Sequence, residues 1–236
     1  MKTGSYSVLY LVIASLAIVI CFVPFVFLGF KKVRKVNTYR VIGIYWLFNG
    51  LVNFPILWPI QKEGLRSFFQ HLSNIYDLID TPLVLLVFAL ASAGKLRKQV
   101  LLVLVGFVIG ESILIGQKGY AFSWPIVVGI GVSLILVYTV SGLWQYLKKM
   151  EHNRFENSMA YVYAALLFGY GTYLIIYLLY FFRNSASGYN EADSFLLYYT
   201  SLLLSAVVTS TGIWSYGLRR SKPGGSLMPH YSSSSS

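Results

Sequence analysis

Two carboxylates interrupt an apolar stretch, Asn74–Ala91, which reads NIYDLIDTPLVLLVFALA. They are Asp77 and Asp80, and a third acid, Glu111, lies within the next apolar stretch of the chain. An ionised carboxylate is costly at the centre of a bilayer, and acids found there are working residues by default. Side chains of this type at this depth can exchange protons or hold a cation.

Asp80 and Glu111 are predicted to lie at the same depth. If one helix enters the membrane near His71, Asp80 lies roughly 13 Å inside it. If the next helix enters from the opposite face near Gln99, Glu111 lies roughly 18 Å from that face. In a hydrocarbon layer of about 30 Å, the two acids then share one level and can meet.

No lysine or arginine of the sequence is predicted at that level to pair with these acids. Desolvation and mutual repulsion both disfavour ionisation, so we expect at least one of the two to be protonated at neutral pH. The functional interpretation is a proton- or cation-responsive site formed by Asp80 and Glu111, with Asp77 and Tyr76 on its outer side. The alternative is a neutral, hydrogen-bonded acid pair that only joins two helices.

Three tyrosines form a second pattern. Tyr170, Tyr173 and Tyr177 fall at positions i, i+3 and i+7, which lie on one face of a helix, and Tyr180 continues this face at i+10. Their rings could line a pocket for a flat or elongated apolar ligand, with the hydroxyls bonded toward the acids. Ordinary packing between helices would explain the same spacing.

The composition places these residues in a membrane protein. Hydrophobic residues make up 56% of the chain, charged residues 11%, and the mean hydropathy is +0.64. Since about 20 helical residues cross a bilayer, the sequence predicts an all-α bundle of seven spans over 1–220. The tail, 221–236, is predicted to be disordered. The predicted spans are 7–30, 40–60, 72–93, 99–117, 121–147, 158–182 and 194–217.

The positive charge predicts an orientation. Fourteen of the 19 lysines and arginines follow the odd-numbered spans and five lie on the other side. By the positive-inside rule, the N-terminus is outside and the C-terminus is cytoplasmic. We therefore expect a multi-pass protein of the cell inner or plasma membrane. The net charge of +11 marks topology and contact with the lipid bilayer, not nucleic acid.

Little in the sequence suggests an enzyme or a metal site. The histidines are scattered, and a single cysteine, Cys21, excludes a disulfide within the chain. No Cys/His cluster, nucleophile–base pair or phosphate-binding loop is evident. We expect no enzymatic activity and no metal.

Several of these motifs resemble those of microbial rhodopsins. The run 81–86, TPLVLL, is similar to the Thr-Pro-Leu-Leu-Leu-Leu run of the family's third helix. The run 110–116, GESILIG, resembles its acid-bearing fourth helix, and Tyr120, Phe122 and Trp124 resemble the start of its fifth. The three tyrosines named above match the spacing of the aromatics that wall the family's retinal pocket.

The resemblance breaks down at retinal attachment. Ser205-Ala206-Val207 stands where the family has Ser-Ala-Lys, and the seventh predicted span contains no lysine. Tyr76 stands at the proton-acceptor position, and Asp80 lies one turn beyond it. We therefore expect no covalent retinal and no other cofactor, and a light-driven pump is not expected.

The sequence thus predicts an opsin-like protein that keeps a central pocket. It would act as a sensor or interaction module, or bind a small apolar ligand non-covalently. The alternative is a transporter of protons, cations or small solutes that uses the acids of the third and fourth spans. Whether the chain forms a homo-oligomer is left open. The candidate pocket lining is Pro82, Tyr170, Tyr173, Tyr177, Ser205 and Val207.

Overall fold

The computed structural model describes residues 3–57, 63–181 and 191–218. It is 93% helical and has no strand among these residues, which confirms the all-α prediction. Two short 3-10 turns, Phe27–Gly29 and Phe54–Ile56, join some of the helices. The helices are α1 (Thr3–Cys21), α2 (Val23–Val26), α3 (Lys31–Arg34), α4 (Asn37–Asn53), α5 (Glu63–Ala91), α6 (Gly94–Lys118), α7 (Tyr120–Lys148), α8 (Arg154–Phe181) and α9 (Glu191–Leu218).

Six helical segments of the described chain are long and apolar enough to cross a membrane. They are Val8–Gly29, Glu63–Ala91, Gly94–Lys118, Tyr120–Lys148, Arg154–Leu179 and Ser194–Gly217. These segments are consistent with an integral multi-pass membrane protein. The remaining predicted span, 40–60, corresponds to α4, which has 17 residues. At 1.5 Å per residue it is about 25 Å long.

Several helix boundaries differ from the predicted spans. The first span, predicted over 7–30, is divided, because α1 ends at Cys21 and is followed by α2 and a 3-10 turn. Helix α4 ends at Asn53 because Pro55 has no N–H to continue the helical ladder, and one 3-10 turn follows. Helix α5 begins at Glu63, nine residues before the predicted span 72–93. Residues 58–62 and the tail 221–236 lie outside the described residues.

The links between helices have clear local causes. Gly119 is the one residue between α6 and α7, and its φ of 79° is a backbone conformation that favours glycine. Helix α8 starts with a reciprocal cap. The side chain of Asn153 accepts a hydrogen bond from the Glu156 N–H at 2.8 Å, and the Glu156 carboxylate accepts one from the Asn153 N–H at 3.0 Å.

The buried core is concentrated between α4, α5, α8 and α9, with α1 packed against α9. Helix α6 lies at the edge, because only Val100 and Glu111 are buried along its length. Helix α7 approaches α5 closely at Gly131, where an added Cβ would collide with the Thr81 side chain. Large apolar side chains remain exposed around the bundle, as expected for a surface that faces lipid.

Aromatic contacts bring three chain segments together at one end of the bundle. The ring of Tyr39, at the start of α4, lies 5.8 Å from that of Phe155 and 4.9 Å from that of Tyr216. Phe155 begins α8 and Tyr216 lies near the end of α9. The basic segments around 31–40 and 148–154 therefore lie at the same end as the C-terminal end of α9.

Gly212 tests the packing of α9 on α8. A Cβ at this position would lie 2.8 Å from Tyr161 Cβ and 2.9 Å from the backbone oxygen of Ser158. Since backbone cannot yield as a flexible side chain can, we expect Gly212→Ala to lower the free energy of unfolding by about 1–3 kcal/mol. Equilibrium unfolding in mixed detergent–SDS micelles measures this change.

The matched control is Gly106→Ala on α6, where a Cβ would have no neighbour within 4 Å. We expect this variant to be as stable as the wild type or slightly more so, because alanine favours helix over glycine. Equal stabilities of the two variants would contradict the packing described for α8 and α9.

Candidate functional site

A cavity of about 680 Å³ lies between α4, α5, α7, α8 and α9. Its lining on α9 extends from Ser194 to Ser205, which is about 16 Å along that helix. Helix α6 contributes no residue to the lining. Ten aromatic residues contribute to its walls: Tyr45, Trp46, Tyr76, Trp124, Tyr170, Tyr173, Tyr177, Phe195, Tyr198 and Tyr199.

Asp80 lines this cavity, and tyrosines hold both of its carboxylate oxygens. The Tyr76 hydroxyl donates to Oδ1 at 2.7 Å, and the Tyr170 hydroxyl donates to Oδ2 at 2.7 Å. Tyr76 lies one turn before Asp80 on α5, whereas Tyr170 reaches it from α8. Hydrogen bonds to a carboxylate are short and strong, so the acid is fixed in orientation by two neutral donors.

The polar contacts continue from Tyr76 into α4 and α9. The Asn49 side-chain amide donates to the Tyr76 hydroxyl at 2.9 Å. Asn53 donates to the Asn49 carbonyl at 2.9 Å, and its own Oδ1 accepts a hydrogen bond from the Tyr199 hydroxyl at 3.0 Å. One network therefore connects Asp80 to α4, α5, α8 and α9.

Sequence reasoning missed the two asparagines of this network. Asn49 and Asn53 are four residues apart on an otherwise apolar helix, and both are buried. Buried amides on one face of an apolar helix usually bond across to another helix, so this spacing was the available signal. Tyr45, Tyr198 and Tyr199 were also missed, because none of them belongs to the i, i+3, i+7 pattern or adjoins an acid in the sequence.

Asp77 lies one turn nearer the start of α5 and has different partners. The Tyr120 hydroxyl and the Trp124 indole N–H, both on α7, donate to its Oδ2 at 3.1 and 3.2 Å. Asp77 also lines the cavity. The two acids of α5 are thus bound to different helices, Asp77 to α7 and Asp80 to α8.

The structure does not join Glu111 to Asp80. Glu111 is 8% exposed on α6, its Oε1 has no hydrogen-bond partner among the described residues, and it is not part of the cavity lining. No hydrogen bond of the described chain connects the two acids. The sequence predicted only the depth of Glu111 in the membrane. Because α6 lies at the edge of the bundle, the Glu111 side chain lies outside the cavity.

The candidate pocket residues divide in a similar way. Tyr170, Tyr173, Tyr177 and Ser205 line the cavity, whereas Pro82 and Val207 do not. Val207 is 40% exposed. It follows Ser205 by two positions, which turns a helical side chain about 200° away.

Pro82 lies outside the cavity lining because of a smaller rotation about the axis of its helix. It follows Thr81, a lining residue that packs on Gly131, and one position turns a helical side chain about 100°. Helical geometry therefore explains both departures from the predicted lining.

The arrangement is suited to binding a small molecule. Within the described residues no group of three or more histidine, cysteine, aspartate and glutamate side chains could hold a metal ion. The cavity combines apolar ring surfaces with two carboxylates that accept hydrogen bonds. It can therefore take a ligand with an apolar body and a donor group.

Comparisons with protein-family models, curated proteins and solved structures found no match to this chain. What the site does is therefore inferred from its own geometry.

The Tyr170 hydrogen bond gives a direct test of the network. In Tyr170→Phe, Asp80 Oδ2 loses its donor from α8, and we expect the free energy of unfolding to fall by about 0.5–2 kcal/mol. Tyr161→Phe on the same helix is the control, because that side chain is 46% exposed. Unfolding in mixed micelles compares the two, and equal losses would show that the hydroxyl of Tyr170 does not stabilise the bundle.

Proposed function

We propose that this chain is an opsin-like membrane protein that binds a small, mainly apolar ligand non-covalently between its helices. Ligand binding would make it a sensor or an interaction module. The observation that carries this proposal is the cavity between α4, α5, α7, α8 and α9. Its volume of about 680 Å³ falls within the range of about 300–1,000 Å³ of small-molecule sites.

We further propose seven crossings, with the N-terminus outside and the C-terminus cytoplasmic. Helix α4 would be the second crossing, because it packs against α1 and α5 inside the bundle. The basic segments at one end support the orientation, since positive residues favour the cytoplasmic side. The cell inner or plasma membrane is the expected location. In this orientation, the end of the cavity that is lined by Ser73 and Ser194 faces the outside.

The lining favours non-covalent binding. Most of the lining is aromatic or aliphatic, as in typical ligand sites, and its polar side chains include Asp77, Asp80 and the two asparagines of the network. The described lining contains no lysine, so no amine is available there to condense with an aldehyde. The likeness to microbial rhodopsins adds the expectation of a pocket at this level of the bundle.

Ligand binding is favoured over a proton or cation pathway. A relay through Asp80 and Glu111 would need contacts between the two acids, and no described hydrogen bond connects them. The phenols on Asp80 also occupy one acceptor site on each of its oxygens. These contacts are better suited to a fixed binding group than to a moving proton.

Retinol tests whether the cavity admits an apolar molecule, because it has no aldehyde and cannot form a Schiff base. Trp46 and Trp124 line the cavity, so bound retinol should quench tryptophan fluorescence with a saturable, one-to-one titration. In Val128→Phe, a larger side chain occupies part of the cavity. We therefore expect retinol affinity to fall at least about tenfold, a change of about 1.4 kcal/mol.

The control is Val137→Phe, the same substitution at a position of α7 that is 62% exposed. Its retinol affinity should equal that of the wild type. Circular dichroism confirms that both variants keep their helical content. If the two variants bind retinol equally, the cavity is not the site that retinol occupies.

Retinal tests the expectation that this chain does not attach retinal covalently. Purified protein mixed with retinal should develop no visible band shifted to the red of free retinal and sensitive to hydroxylamine. Borohydride treatment followed by mass spectrometry of the denatured chain should show no retinyl adduct within 191–218. An adduct on a lysine of the bundle would overturn the assignment of non-covalent binding.

A further inference from the structure

We propose that the natural ligand is a small organic cation, an amine or quaternary ammonium with an apolar body. This inference rests on the proposed binding function and names the chemical class of the ligand. The juxtaposition that carries it is a pair of carboxylates, Asp77 and Asp80, inside an aromatic cavity.

The charged side chains of the described lining are all acidic. Asp77 and Asp80 contribute two carboxylates, and none of the described lining residues is lysine, arginine or histidine. The two acids are three positions apart on α5 and therefore neighbours on one face of the helix. A cationic ligand would supply the partner charge that the described lining lacks, whereas an anionic ligand would meet two like charges.

Both acids keep capacity to accept a further hydrogen bond. Each oxygen of a carboxylate has two lone pairs, and each oxygen of Asp80 receives one described donor. The two described donors to Asp77 both bind Oδ2, and Oδ1 accepts none among the described contacts. An ammonium group could therefore approach either acid without displacing the tyrosines or Trp124.

The aromatic walls favour the same class of ligand. Seven tyrosines and two tryptophans line the cavity. The faces of such rings carry negative electrostatic potential and attract ammonium groups, and cages of this kind recognise quaternary ammonium ions. Aliphatic residues of the lining, Val128, Val132 and Leu166, offer contact to an apolar body.

A matched pair of probes tests the proposal. Phenyltrimethylammonium and tert-butylbenzene have nearly the same shape, and only the first is charged. We would titrate each into protein in nanodiscs of zwitterionic lipid, which removes attraction of the cation to anionic lipid. Tryptophan fluorescence follows binding, and we expect the cation to bind at least about tenfold more tightly than the neutral probe.

Substitutions assign the preference to the acids. Asp80→Asn should reduce affinity for the cation at least about tenfold and leave that for tert-butylbenzene unchanged. Asp80→Glu should restore the preference. Asp77→Asn provides a second variant if Asp80→Asn does not fold. The matched control is Glu111→Gln, because this buried acid lies outside the cavity lining, and it should bind both probes as the wild type does.

The outcomes separate this proposal from the binding function itself. If retinol binds but the two small probes bind equally, the cavity is a ligand site and the cation preference is overturned. Unchanged cation affinity in folded Asp80→Asn and Asp77→Asn variants would also overturn it. If retinol and both small probes fail to bind, the proposed binding function falls together with this inference.

Discussion

The hydrogen bonding of one half-buried carboxylate organises the centre of this bundle. Asp80 would be costly among apolar helices without partners, and Tyr76 and Tyr170 supply one donor to each of its oxygens at 2.7 Å. Because these donors come from α5 and α8, satisfying the acid also fixes how the two helices face each other. Asn49 and Asn53 extend the same constraint to α4 and α9.

This polar network and the cavity are parts of one arrangement. The hydroxyls of Tyr76 and Tyr170 bond the acid, and the rings of these tyrosines form part of the cavity walls. A core filled with aliphatic side chains could pack more closely. A phenol bonded at its tip is held in place, so its ring can shape a cavity instead of filling it. The cost of burying an acid is thereby linked to the making of a pocket.

Glu111, which is buried, shows how differently another acid of the chain can be placed. Helix α6 has only Val100 and Glu111 buried, and it meets the bundle along one narrow side. The Ser123 hydroxyl at the start of α7 donates to the Leu114 carbonyl of α6 at 2.9 Å, which holds the two helices together near that acid. Glu111 therefore belongs to a helix junction, whereas Asp80 belongs to the cavity.

Much of the fold could be predicted because it depends on properties that run along the chain. Hydrophobic length located the long helices that the structure describes, and the tyrosine spacing selected three residues that do line the cavity. The errors arose where local chemistry changes a boundary, as at Pro55, or where rotation about a helix axis decides the environment. Val207 and Pro82 were assigned to the pocket by motif position, and the helical turn carries both away from it.

The sequence by itself determined that this protein is helical and apolar, that it carries acids within its helices, and that its seventh predicted span has no lysine. These follow from residue types and their order. Only the tertiary structure decided which acid faces a cavity and which polar side chains satisfy it. The physical reason is that depth along a helix is set by counting residues, whereas the direction of a side chain depends on how neighbouring helices pack.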